Sequence, residues 1–199
     1  MDDPIGSAFN DWTKGCDPVA ARIALFEHVR DLPYQHDGSR DPAEVLKHGG
    51  GSAPGKHDLL AALFGRLGLQ VRHMLCTHRF NESPLPFPED MQGLLRKNEI
   101  VDVHEYLQVL VDNQWVDVDV TWEEPLRDFG FPVNENWDGK SPMLLSVIPD
   151  EQIKVEGNPA KAKEDQLAKL TPRQRTLRKQ FLEALGRLVD EMAAEIRER

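Results

Sequence analysis

At 199 residues, with 40% hydrophobic and 29% charged residues, the chain is long enough to bury a core without cross-links and reads as one soluble domain with appendages. A net charge of −10 argues against nucleic acid as the main partner, because phosphate binding needs a basic footprint, and it disfavours an anionic membrane surface. Cys16 and Cys76 make no disulfide framework, no apolar stretch has membrane-spanning length, and the acidic start Met1-Asp2-Asp3-Pro4 lacks a signal-peptide pattern, so a reducing, cytoplasmic compartment is expected.

Residues 1–17 read as irregular. Asp17-Pro18 then starts a helix, with Asp17 as N-cap and Pro18 in the first turn. Val19, Ile23, Phe26 and Val29 keep helical spacing to about Leu32, and Pro33 ends the run. A short helix is expected from Pro42 to Lys47. The next helix begins near Ser52 to Pro54 and carries the stripe Leu59, Leu60, Leu63, Phe64 and Leu67, with Gly68 as its stop. Residues 69–78 read as a strand, and 81–98 as a loop with one helical turn.

The clearest β signal is Val101 to Val111 and Trp115 to Thr121 around Asp112-Asn113-Gln114. With Asp112 and Asn113 as turn residues, Val111 faces Gln114 and Tyr106 faces Asp119. One face then holds Val103, Leu107, Val109, Val111, Val116, Val118 and Val120, a core face. The other holds His104, Tyr106, Gln108, Trp115, Asp117 and Asp119, a polar face on which His104 and Asp119 are diagonal neighbours. Residues 122–150 read as loop, with a turn at Trp137-Asp138-Gly139 and a short strand at Met143 to Ile148. Residues 151–170 are polar and expected to be partly mobile. Thr171-Pro172 caps a final helix whose stripe is Leu177, Phe181, Leu185, Leu188, Met192 and Ile196.

The chemistry sits where Gly49-Gly50-Gly51-Ser52-Ala53 meets a helix start, with His104 and Asp119 on one strand face. A helix N-terminus offers unpaired N–H groups and a positive dipole end. A cysteine there is held as thiolate, a histidine exchanges its proton, a carboxylate orients the histidine, and the N–H groups hold an oxyanion. The layout fits such a Cys-His-Asp acyl-transfer site, but the nucleophile position is Ala53.

These residues resemble the bacterial transglutaminase-like proteins, a branch of the papain-like cysteine enzymes. The helix entry Gly51-Ser52-Ala53-Pro54-Gly55-Lys56-His57-Asp58-Leu59-Leu60-Ala61-Ala62-Leu63 is similar to the family's Gly-Ser-Cys entry followed by Lys and an apolar helix. Leu67-Gly68-Leu69-Gln70-Val71-Arg72 is similar to its exit into a strand, and the helix around Arg22 to Asp31 to its preceding helix. His104-Glu105-Tyr106 and Trp115 to Thr121 are similar to its His and Asp strands, so the likeness runs over roughly residues 19–148. The resemblance implies an α+β fold with a central helix packed on an antiparallel sheet, His104 as base and Asp119 as orienting acid. It implies an amide or thioester substrate on a peptide, protein or small molecule, and peptide hydrolysis, transamidation or deamidation. Two origins of Ala53 stay open: a natural residue in a binding module that keeps the cleft, or a replacement of cysteine that traps substrate. A transglutaminase-like domain is expected over residues 1–150, with a linker and a packing helix over 151–199.

Plainer readings stand beside these. Ser52 fits a helix cap better than a substitute nucleophile. Cys76 fits a small apolar filler. His73 points away from Cys76 and His78 on a strand, so no metal set is assembled, and no cofactor is called for. The glycine run lacks the Gly-Lys-Ser/Thr ending of a phosphate loop. Tyr106, Trp115, Trp122 and Trp137 fit core or rim packing as well as a cleft. The oligomeric state is not legible.

Overall fold

The computed structural model of the chain describes residues 3–198. In chain order these form α1 (Pro4–Trp12), α2 (Pro18–Arg30), α3 (Pro42–His48), α4 (Ala53–Arg66), β1 (Val71–Arg79), α5 (Glu89–Lys97), β2 (Val101–Val111), β3 (Gln114–Val118), β4 (Glu151–Lys154), α6 (Pro159–Ala168) and α7 (Pro172–Glu198). The strands make one antiparallel sheet of order β3-β2-β1-β4, and the class is α+β as the sequence predicts.

The chain divides into two compact units. One takes in the chain up to Arg72, Tyr106–Glu124 and Pro132–Ser146; the other takes in His73–Glu105, Pro125–Phe131 and the chain from Val147 onward.

The core of the first unit joins Leu25, Phe26 and Val29 of α2 and Val45 of α3 to Leu59, Leu60, Leu63 and Phe64 of α4. The hairpin completes it with Leu107, Val109, Val111, Val116, Val118 and Val120. This is the predicted valine face apart from Val103, which belongs to the second unit, and the register is as predicted: Leu107 pairs with Val118 and Val111 with Gln114. Asp112 and Asn113 take φ of 49° and 62°, the two left-handed positions of a type I′ turn, which these side chains tolerate. Of the residues expected on the opposite, polar face, Tyr106, His104 and Asp119 are each buried. Within the first unit, Gln108 on this face donates to Asp117 at 2.7 Å and accepts from Arg72.

Helix starts share one local recipe. Asp3, Asp17, Asp41 and Asn158 each precede a proline and accept from backbone N–H groups of the first turn. This accounts for α1, which occupies part of the stretch expected to be irregular. Asp3 accepts from Gly6 N at 2.8 Å, and Ile5, Phe9 and Trp12 pack against the first unit's core.

In the second unit, β4 pairs with β1, Met74 opposite Lys154 and Thr77 opposite Glu151. The sequence pattern predicts a strand at 143–148 instead. There the backbone is taken up by side chains: Asn134 brackets Leu144 by accepting from its N–H and donating to its carbonyl. β4 escapes notice in the sequence because Glu-Gln-Ile-Lys is a short, charged edge strand with no alternation to read. Residues 81–98 hold a nine-residue helix, α5, with Glu89 and Asp90 in its first turn and Arg96 and Lys97 in its last, which suits the helix dipole. Residues 151–170, expected to be partly mobile, hold β4 and α6.

α7 starts as predicted. Gln174 N–H donates to Thr171 Oγ1 while Gln174 Oε1 accepts from Thr171 N–H, a reciprocal cap. Its buried face is Phe181, Leu185, Gly186 and Val189; Leu177, Leu188, Met192 and Ile196 lie at its flanks, partly covered. Phe181 packs at a tilt against Phe80 at 4.6 Å and meets Phe87 edge-on at 5.2 Å between ring centres.

Candidate functional site

The helix entry in the first unit is set by close approach. A Cβ on Gly55 would lie 2.1 Å from the Ser39 carbonyl oxygen, and one on Gly38 would lie 2.5 Å from Ser52 N. Gly49 caps α3 in the left-handed region with φ of 64°. The glycines therefore serve packing and turning. Ser52 is the N-cap of α4: its hydroxyl accepts from Gly55 N at 3.3 Å and faces the Ser39 carbonyl at 3.4 Å. That leaves the hydroxyl buried and engaged, as the cap reading predicts.

Ala53 is the first residue of α4 and is half-buried. Its carbonyl receives His57 Nδ1 at 2.7 Å, one turn along the helix. The other ring nitrogen, Nε2, accepts from Val120 N–H at 3.2 Å. A carbonyl only accepts and an amide N–H only donates, so the pairing assigns the neutral Nδ1–H tautomer. His57 Nε2 also lies 3.5 Å from Asp119 Oδ1, with both side chains buried. The structure thus ties two predicted site residues, Ala53 and Asp119, to a histidine that sequence reasoning passes over.

Asp119 lies one residue past β3. Its Oδ1 accepts from Thr121 N (3.0 Å) and Thr121 Oγ1 (2.6 Å), and its Oδ2 from Ser146 N (2.8 Å) and Ser146 Oγ (2.6 Å). Its carbonyl accepts from Asn134 Nδ2 at 3.1 Å. Ser146 falls where a strand is expected, so no periodic pattern could have disclosed it.

Lys56 is wholly buried beside His57. Its ammonium donates to the carbonyls of Arg30 (2.9 Å) and Thr121 (3.1 Å). Burial pushes it down to about 8, partly offset by Glu123, Asp31 and Asp119. Of the aromatics, Trp137 belongs to the core, Trp122 meets Tyr34 at 4.9 Å, and Trp115 lies exposed under the Arg72 guanidinium at 4.1 Å.

His104 belongs to the second unit, on β2, and is buried. Two residues earlier on the same strand, Asp102 ion-pairs with Arg178 of α7 at 2.5 Å and lies 3.9 Å from His78 Nε2. Burial pushes His78 down to about 4, with Asp102 opposing and His104 adding to the shift. His73 contacts Glu105 at 3.2 Å, and Cys76 is wholly buried.

A family model described as the transglutaminase-like superfamily matches residues 10–120. The chain belongs to the transglutaminase-like superfamily. The match runs from within α1 to the residue after Asp119, so β4, α6 and α7 lie outside it. No curated protein matches the chain. A transglutaminase-like domain is a papain-like cysteine acyl-transfer or protease scaffold. No helix among the described residues is long and apolar enough to cross a membrane.

Proposed function

We propose that this chain is an acyl-transfer scaffold that cannot perform its covalent step as written, because Ala53 stands at the nucleophile position. The family resemblance gives His104 the role of base and Asp119 that of orienting acid. The observation that carries the reading is Ala53 itself: first residue of α4, half-buried, within a family match that ends just past Asp119. Ser52 offers no substitute, since its hydroxyl is buried in the helix cap.

A cysteine at position 53 would act as follows. The helix N-terminus favours the thiolate, and the proton passes to histidine. Sulfur adds to the carbonyl carbon of an amide or thioester, and the oxygen takes the charge under backbone N–H groups. The C–N or C–S bond breaks as histidine protonates the leaving group. Water or an amine then releases the acyl group, giving hydrolysis, deamidation or transamidation. With alanine the site can hold such a substrate on a peptide, protein or small molecule but cannot open it.

A second reading, a binding module with the cleft and no chemistry, is favoured by the four hydrogen bonds that build the Asp119 carboxylate into the first unit. Ala53→Cys separates the two. Under the first reading the new thiol alkylates much faster than Cys16 below the ordinary thiol pKa of about 8.5, and His104→Ala slows it. A thiol at position 53 that reacts no faster than an exposed peptide thiol leaves the binding module as the function.

A further inference from the structure

Two adjacent side chains on the first turns of α4 do work outside the proposed triad. Lys56 and His57 are both wholly buried, and neither belongs to the triad. Burying an amine is unfavourable unless its protons find partners. Here they find the last carbonyl of α2, at Arg30, and the carbonyl of Thr121. The imidazole spans a parallel gap, from the Ala53 carbonyl to the Val120 amide. Residues 120 and 121 are therefore held to the helix by consecutive side chains, one through an amide N–H and one through a carbonyl. Thr121 hands this restraint to Asp119 through its own N–H and hydroxyl. His57 Nε2 lies 3.5 Å from the same Oδ1, but as an acceptor facing an acceptor it adds no bond there, so His57 acts on Asp119 through Val120.

We propose that Lys56 and His57 are positioning residues: they clamp the segment 119–121 to the first turns of α4 and so fix the Asp119 carboxylate relative to residue 53. The inference rests on reading position 53 and Asp119 as parts of one acyl-transfer site. The burial of both side chains excludes direct contact with a substrate. Their effect reaches the site through geometry and, for Lys56, through a positive charge near the helix start that favours a thiolate at position 53.

The test uses the full chain with Ala53→Cys as parent, and reads the rate of iodoacetamide alkylation against pH. Lys56→Met and His57→Gln, each added to the parent, are expected to move the rise of the profile to higher pH. A shift of one pH unit lowers the rate about tenfold on the rising limb of the profile, below both midpoints. A second measurement needs no substitution. In the unmodified protein the His57 ¹⁵N shifts should show a protonated Nδ1 and a bare Nε2, and the Val120 amide should exchange as slowly as core strand amides. A fast-reacting parent whose profile is unmoved by both substitutions overturns the clamp. So does a Val120 amide that exchanges like an open loop. A parent that reacts no faster than Cys16 overturns the reading of the site itself, and with it any positioning role.

Discussion

Replacing Asp119 by alanine tests whether its carboxylate is a structural hub as well as the proposed orienting acid. The change strands four donors: the N–H and hydroxyl of Thr121 and of Ser146. The two hydroxyls can rotate toward other acceptors, but the two backbone N–H groups cannot. Each buried, unsatisfied N–H costs about 1–3 kcal/mol, so Asp119→Ala should lose about 4 kcal/mol of folding stability. Asp119→Asn keeps one accepting oxygen and turns an NH₂ toward the other pair of donors, so it should lose about half as much. Urea unfolding followed by circular dichroism reads both, as shifts of midpoint at constant slope. An aspartate retained only to orient a histidine would leave stability unchanged or raised. A loss below about 1 kcal/mol for Asp119→Ala would therefore refute the hub.

Phe181→Ala should destabilise by about 3–5 kcal/mol, since it empties the ring cluster with Phe80 and Phe87; thermal or urea unfolding checks this, and a loss under about 1 kcal/mol would mean α7 does not pack there. His78 is held neutral by burial down to about 4, against an ordinary 6.5. The unfolded chain takes up that proton first, so the stability this group confers is present above 6.5 and lost as pH falls toward 4, by up to about 3 kcal/mol. His78→Leu should remove that part of the acid dependence, and unchanged urea midpoints at pH 7 and pH 4 relative to the parent would contradict it. Lys56 has the same sign at alkaline pH: its folded value of about 8 lies below the ordinary 10.5, so stability rises with pH across that window. Subtracting the pH profile of Lys56→Met from that of the unmodified protein should leave this rise, and a flat difference would show that the amine is not buried in solution.

The elements that could be read from the chain are those whose information is local. An Asp or Thr followed by proline is a helix start on its own terms, because the side chain meets the first free N–H groups and the ring suits the first turn. That is why α2 and α7 were legible, and why Asp3-Pro4 carried the same signal for α1. The hairpin was legible to the register, because valines at period two and an Asp-Asn turn allow one alignment. Ala53, His104 and Asp119 are singled out by the helix entry and the hairpin pattern together with the family resemblance those residues carry. What the sequence could not disclose is held by contacts between residues far apart in the chain. Ser146 reaches Asp119 across 27 positions, Lys56 reaches Thr121 across 65, and His57 reaches Val120 across 63. None has a periodic signature, and buried lysine and histidine look in sequence like any polar residue near a helix start. Local sequence set where the helices and the hairpin begin and turn. Only the tertiary structure decided which polar groups left water together, because desolvation and the hydrogen bonds that offset it depend on neighbours that folding alone supplies.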